Sequence, residues 1–128
     1  MEMEKEYTIQ EIAARMELNK STLYYYERVG LMLPVLRKPN GHRRYSEKDV
    51  EWLAFVKCMR QTGMPLESIR AFAVLHQQNG GLKQRIAILV EHHQRMLAQQ
   101  EELAKAIDFI GKKIERFEEA IEQYPSLA

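Results

Sequence analysis

Apolar residues recur through the second half of this chain at alternating intervals of four and three. Leu82, Ile86, Leu89, His93, Met96, Gln100, Leu103, Ile107, Ile110, Ile114, Phe117, Ile121 and Tyr124 make up the run, with His93 and Gln100 as its polar interruptions. That is a heptad seam sustained over about six repeats, and it predicts one continuous helix. At 1.5 Å per residue such a helix runs roughly 60 Å. An amphipathic stripe of that length must be buried against a partner. The economical partner is the same helix of a second subunit, which makes the chain a homodimer. Leu89, Met96, Leu103, Ile107, Ile110, Ile114, Phe117 and Ile121 are the expected dimer contacts. The heptads alone fit parallel and antiparallel pairing equally.

Shorter rhythms precede it. Residues 1–6 read as a frayed lead-in. Thr8 and Glu11 then have the spacing of a capping box, with Tyr7 and Ile12 as the hydrophobic staple around it. Ile9, Ile12, Ala13 and Met16 share one helical face, and the helix closes near Glu17. A turn through Leu18 leads into a second helix, N-capped by Asn19 and ended by a left-handed Gly30. Two short helices so joined make a helix-turn-helix, whose second member usually enters the major groove of DNA. Leu31-Met32-Leu33-Pro34 leaves in an extended conformation. Val35-Leu36-Arg37-Lys38 and His42-Arg43-Arg44-Tyr45 flank Pro39-Asn40-Gly41, where Asn-Gly predicts a hairpin with both turn residues at positive φ. Ser46 and Asp49 form a second capping box, stapled by Tyr45 and Val50, on a third helix. Leu53, Val56 and Met59, or Phe55 and Met59, give that helix its spacing, and Gly63 stops it. Pro65 falls in the first turn of a fourth helix, where Ile69, Phe72, Ala73 and His76 share a face. These apolar residues are expected to be core or interface rather than a ligand pocket. Gly80-Gly81 then breaks the chain. The expected fold is all-α with a small β wing: a winged helix-turn-helix domain with a helical extension over 1–78, then a coiled-coil dimerisation helix over 82–124.

The chemistry of the second helix is unusual. Tyr24, Tyr25 and Tyr26 stand in succession, with Lys20, Ser21 and Thr22 before them and Arg28 after. Successive helical residues point about 100° apart, so at most one or two tyrosines face the core. Hydroxyls and cations at this density suit phosphate oxygens and base edges. The net charge of +1 for the whole chain carries little information, but its distribution does. Between Lys20 and Lys48 seven basic residues meet two acidic ones, whereas from Leu82 onward seven basic meet eight acidic. A basic patch confined to one segment is the footprint of a nucleic-acid binder. The candidate contacts to double-stranded DNA are Lys20, Ser21, Thr22, Tyr25, Tyr26 and Arg28 on the helix, with Arg37, Lys38, His42, Arg43 and Arg44 on the wing.

Other classes fit less well. No phosphate loop, metal-ligand cluster or placed nucleophile–base pair points to an enzyme, a cofactor or a metal. His92 and His93 are adjacent, so they face different directions on a helix and cannot chelate together. A helical interaction module that uses the coil without DNA would explain the heptads, but not the basic segment or its hairpin. The single cysteine, Cys58, excludes an internal disulfide and fits a reducing compartment. With no apolar run near membrane length and no apolar leader, the expected location is the cytoplasm, away from membranes.

Three stretches carry a resemblance. Thr22-Leu23-Tyr24-Tyr25-Tyr26-Glu27-Arg28-Val29-Gly30-Leu31, Gly41-His42-Arg43-Arg44-Tyr45 and Gly63-Met64-Pro65-Leu66-Glu67-Ser68-Ile69 resemble, in order and spacing, the MerR-family transcription regulators. Tyr24 stands where that family usually has arginine, and Glu17 where its turn commonly has glycine. The resemblance implies an antiparallel dimer on a pseudo-palindrome in an overlong promoter spacer. It also implies activation by bending and untwisting DNA so that RNA polymerase engages both promoter elements. Drug-sensing members carry a further ligand-binding domain, and nothing remains after the coil to form one. Metal-sensing members use several cysteines around the start of the coil. Phe55-Val56-Lys57-Cys58-Met59-Arg60 looks like the branch that keeps one cysteine here and is linked to reactive aldehydes and other electrophiles. Cys58 is therefore a candidate sensor. Lys57 and Arg60 lie close enough in sequence to favour its thiolate. A lone cysteine is, however, usually a small buried hydrophobe, and a packed Phe55 would make it inert.

Overall fold

A computed structural model describes residues 5–32 and 35–128. The start of the lead-in, and Leu33-Pro34 of the stretch expected to be extended, lie outside the described residues. The elements are α1 (Ile9–Met16), α2 (Lys20–Arg28), β1 (Leu36–Arg37), β2 (Arg43–Arg44), α3 (Glu47–Gln61), α4 (Leu66–Gln77) and α5 (Leu82–Gln123), with a short 3-10 turn at Pro125–Leu127. They form two compact units, Met1–Ile88 and Leu89–Ala128. The first turns of α5 thus belong with the N-terminal unit, where Ile88 packs on the core.

Capping sets the helices of that unit. Thr8 Oγ1 accepts from the Glu11 N–H at 3.2 Å, and the Glu11 carboxylate accepts from the Thr8 N–H at 3.1 Å. The Thr8 backbone N–H first, and the Thr8 hydroxyl second, hold the Glu11 carboxyl below its ordinary value. Glu17 closes α1 at φ 55°, left-handed although it is not glycine. The Leu18 N–H reaches Ala13 O at 2.9 Å and the Glu17 N–H reaches Ala14 O at 3.3 Å. That Schellman pair satisfies the last carbonyls and keeps the turn despite the missing glycine. The same device ends α2, with Gly30 at φ 81° and the Leu31 N–H on Tyr26 O at 2.8 Å. Asn19 takes the N-cap backbone conformation, but its side chain makes no capping bond, contrary to expectation.

The wing departs from expectation in register. β1 and β2 pair antiparallel with Leu36 opposite Arg44 and Arg37 opposite Arg43. Positive φ was expected at both Asn40 and Gly41; only Gly41 has it, at 85°. Pro39, whose ring fixes φ, takes the first central position of a turn over Lys38-Pro39-Asn40-Gly41. The turn is thereby centred one residue early, closed by the Gly41 N–H on Lys38 O at 2.8 Å. Beyond it, Tyr7 and Tyr45 exchange backbone bonds of 2.8 and 2.9 Å, pinning the chain ahead of α1 to the wing's base.

Ser46 and Asp49 form their capping box at α3. Pro65 sits at the N-cap of α4 rather than inside its first turn, with φ −59° and ψ 143°. Its carbonyl accepts from Ser68 and Ile69, a role that needs no N–H. The core beneath gathers Ile12, Met16, Leu23, Tyr26, Leu31, Tyr45, Trp52, Leu53, Val56, Met59, Met64, Ile69 and Phe72. Each such side chain contributes about 1.5–3 kcal/mol on burial.

In the second unit α5 continues as a regular helix, and at 42 residues its full length is about 63 Å. Helix ends at Gln123, so Tyr124 lies one residue past it. Leu103, Ile107, Ile110, Ile114 and Phe117 are each more than half exposed. Within one chain this stripe is uncovered.

Candidate nucleic-acid interface

On α2, Leu23 and Tyr26 turn inward while Lys20, Ser21, Tyr24, Tyr25 and Arg28 stay exposed and Thr22 is half-buried. Tyr26 therefore corrects the expected contact set: its ring is 7% exposed and belongs to the core. Two tyrosines remain on the outer face, Tyr24 at 41% and Tyr25 at 37%. The Arg28 guanidinium lies 5.7 Å from the Tyr25 ring.

Between this helix, the start of α1 and the wing lies a cleft of about 380 Å³. It brings together Lys20, His42, Arg43 and Arg44 with Tyr24, across from Thr8 and Gln10. Ser21, Thr22, Tyr25, Arg28, Arg37 and Lys38 do not line it. The cations inside it differ in how free they are. Arg43 Nε donates to the Glu27 carboxylate at 2.6 Å, and its guanidinium lies 4.6 Å from the Tyr24 ring. Arg37 Nη2 reaches the other Glu27 oxygen at 3.5 Å. Arg43 is therefore anchored by Nε and by its ring contact. Arg44 is half-buried, and its Nε has no hydrogen-bond partner among the described residues.

Both acidic residues of the basic segment are engaged. Glu27 holds two of the three wing arginines, Arg37 and Arg43. Glu47 accepts from Arg15 at 2.9 and 3.2 Å and from the Tyr7 hydroxyl at 2.8 Å. Those bonds, Arg15's first, hold the Glu47 carboxyl below its ordinary value. Beneath the wing, burial pushes the Tyr45 phenol up to about 12.

Two contacts that sequence reasoning missed fix where α2 ends. Trp52 Nε1 on α3 donates to Leu31 O at 2.7 Å, and Arg70 Nε on α4 donates to Val29 O at 2.6 Å. The exit of α2 is thereby tied to both following helices. Glu27 was likewise missed, having counted only as a negative charge.

Cys58 is exposed on α3, so the expectation of a small buried hydrophobe does not hold. Phe55 packs on Trp52 and Phe72, with ring centroids 5.5 and 4.7 Å away. The Lys57 ammonium donates to Met16 O at 2.7 Å, at the end of α1. His92 is buried and His93 exposed, as adjacent helical positions require. Among the described residues no group of three or more His, Cys, Asp or Glu is placed to hold a metal, and no helix is long and apolar enough to cross a membrane.

Comparison with known proteins agrees with this geometry. Residues 7–73 match the family model of the MerR helix-turn-helix regulatory proteins, and residues 50–112 match that of MerR DNA binding. The chain is 39% identical over 90 residues to the HTH-type transcriptional regulator AdhR of Bacillus subtilis, covering 70% of this chain but 64% of AdhR. It is 32% identical over 124 residues to the regulator YyaN of the same species, covering 87% and 90%. Among solved structures it resembles HiNmlR, a MerR family regulator lacking the sensor domain, bound to promoter DNA: TM-score 0.83, 27% identity, 94% of this chain and 96% of that one. With the helix-turn-helix, the wing and both family models in agreement, the chain belongs to the MerR family of helix-turn-helix regulatory proteins.

Proposed function

We propose that this chain is a homodimeric transcription regulator that binds a pseudo-palindromic operator in double-stranded DNA and alters its bend and twist. The observation that carries the reading is the cleft joining α2 to the wing, where Lys20, His42, Arg43 and Arg44 converge beside the exposed Tyr24. Phosphate contacts from these groups set the register of α2 in the major groove, with Ser21, Thr22, Tyr25 and Arg28 nearest the bases and Arg37 and Lys38 on the flanking backbone. The solved complex of HiNmlR with promoter DNA supports the assignment.

Dimerisation follows from the uncovered stripe of α5. Antiparallel pairing with a second copy buries Leu89, Met96, Leu103, Ile107, Ile110, Ile114, Phe117 and Ile121, and places two α2 helices on one DNA face. Distortion of the spacer then lets RNA polymerase, in the cytoplasm, engage both promoter elements. Cys58 is the signal input. An electrophile such as an aldehyde adds to its exposed thiol and shifts the dimer between relaxed and DNA-untwisting states. A coil acting without DNA leaves the basic cleft unused.

Selection from a pool of random duplexes tests the reading. Enrichment of one pseudo-palindrome is expected, and recovery of unrelated sequences after repeated rounds contradicts it. In transcription from the selected site, Cys58→Ser should bind normally and lose the aldehyde response. A full response in that variant removes the thiol from the mechanism.

A further inference from the structure

Helices α3 and α4 and the first turn of α5 surround a second, open cavity of about 540 Å³, lined by none of the DNA-facing residues. Its size falls within the range of small-molecule sites, about 300–1,000 Å³. The wall is aromatic. Trp52 stacks on His76 with centroids 4.9 Å apart and planes 16° apart, and on Phe72 at 6.0 Å and 27°. Phe55 leans on Phe72 at 4.7 Å. Trp52 and Phe72 are core residues, as expected of this face, and the half-buried Phe55 and His76 carry the stack to the edge of the open space.

The polar group facing that wall is Arg85. Its Nη1 lies 3.2 Å from His76 Nδ1. Arginine can only donate, so that nitrogen accepts and the ring proton sits on Nε2. Arg85 Nε is buried and has no hydrogen-bond partner among the described residues. A buried donor on a cation is stabilised by gaining an acceptor, and a carboxylate matches the guanidinium fork. At the mouth, exposed Lys48 and Glu51 oppose one another in sign, which leaves Arg85 as the net charge of the site.

We infer that this cavity binds a planar aromatic carboxylate, its ring layered on the Trp52–Phe72–His76 stack and its oxygens on Arg85. The site also has a route to α2, because Trp52 donates its indole N–H to Leu31 O, one residue past the left-handed Gly30. A ligand that shifts the Trp52 ring shifts the bond that fixes the exit of α2. Binding stands by itself; this coupling rests on the DNA-binding reading.

Trp52 is the chain's single tryptophan, so its fluorescence reports on the cavity directly. The full-length chain is titrated with benzoate, and separately with benzyl alcohol as its uncharged counterpart. The expected result is a saturable change with benzoate and about tenfold weaker binding of the alcohol, the worth of one charge-assisted pair. Arg85→Gln should keep the wild-type melting curve and bind the two probes alike, and Lys48→Gln should behave as wild type. No saturable change at millimolar benzoate, or equal affinity for both probes in the wild type, overturns the site. So does Trp52 emission that changes on dilution of the protein while benzoate is excluded at high concentration, since a second copy then fills the cavity. In a parallel arm, benzoate should move duplex affinity roughly threefold in wild type and not in Arg85→Gln. Benzoate binding without that change overturns the coupling. Loss of all duplex binding by the wild type strikes the regulator reading and leaves the site in place.

Discussion

Glu27 holds part of the wing's charge to the fold, and Arg44 is a proposed DNA contact. Glu27 takes Arg43 Nε at 2.6 Å and so spends part of that guanidinium on orienting wing against helix. Arg44 has a buried Nε with no hydrogen-bond partner among the described residues. Arg44→Gln should therefore melt no lower than wild type. Its affinity for all duplexes should fall similarly, and its salt slope should flatten by about 0.9, one phosphate contact. Anisotropy titrations at several salt concentrations read both. Tyr45 supplies a pH test. Its phenol is raised from 10.0 to about 12, so the folded state favours the neutral form. The stabilisation is full below the ordinary value and is lost as pH rises from 10 towards 12. Urea midpoints should fall across that interval, and fall less steeply in Tyr45→Phe.

Among the elements, what the sequence disclosed was what is local. Both capping boxes act across three residues, so Thr8/Glu11 and Ser46/Asp49 could be read directly and are present. The wing turn slipped because Asn-Gly and Pro39 compete for the same turn, and the ring's fixed φ prevails. The cations of the cleft between α2 and the wing were legible as a charge cluster. That Tyr26 packs inward was not, because three tyrosines at successive 100° steps do not declare which one faces the core. Least legible were the ties at the end of α2. Trp52 and Arg70 lie 21 and 41 positions from their carbonyl partners, and no spacing rule connects them. Trp52→Phe tests the first tie. It keeps an aromatic wall but leaves a buried carbonyl unpaired, a cost of about 1–3 kcal/mol. Chemical unfolding should show that loss, with duplex affinity reduced as the exit of α2 loosens. A variant as stable as wild type would mean that the bond does no more than water would.

For the whole molecule, the proposed dimer rests on the uncovered stripe of α5. Ile107 is 63% exposed in the single chain although it sits in the heptad seam. In the proposed dimer it is buried against a second copy, so a charge placed there loses water without gaining a partner and costs several kcal/mol. Ile107→Asp should sediment as a monomer, or with α5 unfolded, and its operator affinity should collapse with dimerisation. A wild-type chain that sediments as a well-folded monomer at micromolar concentration would contradict the dimer.

That the cleft between α2 and the wing grips DNA is read most directly by fluorescence anisotropy of a labelled random duplex, titrated with the wild-type chain at 50 and 200 mM salt. Several phosphate contacts predict saturable binding that weakens by about three orders of magnitude between those two conditions. Binding that is absent at both salts, or equally tight at both, would contradict a phosphate-gripping cleft.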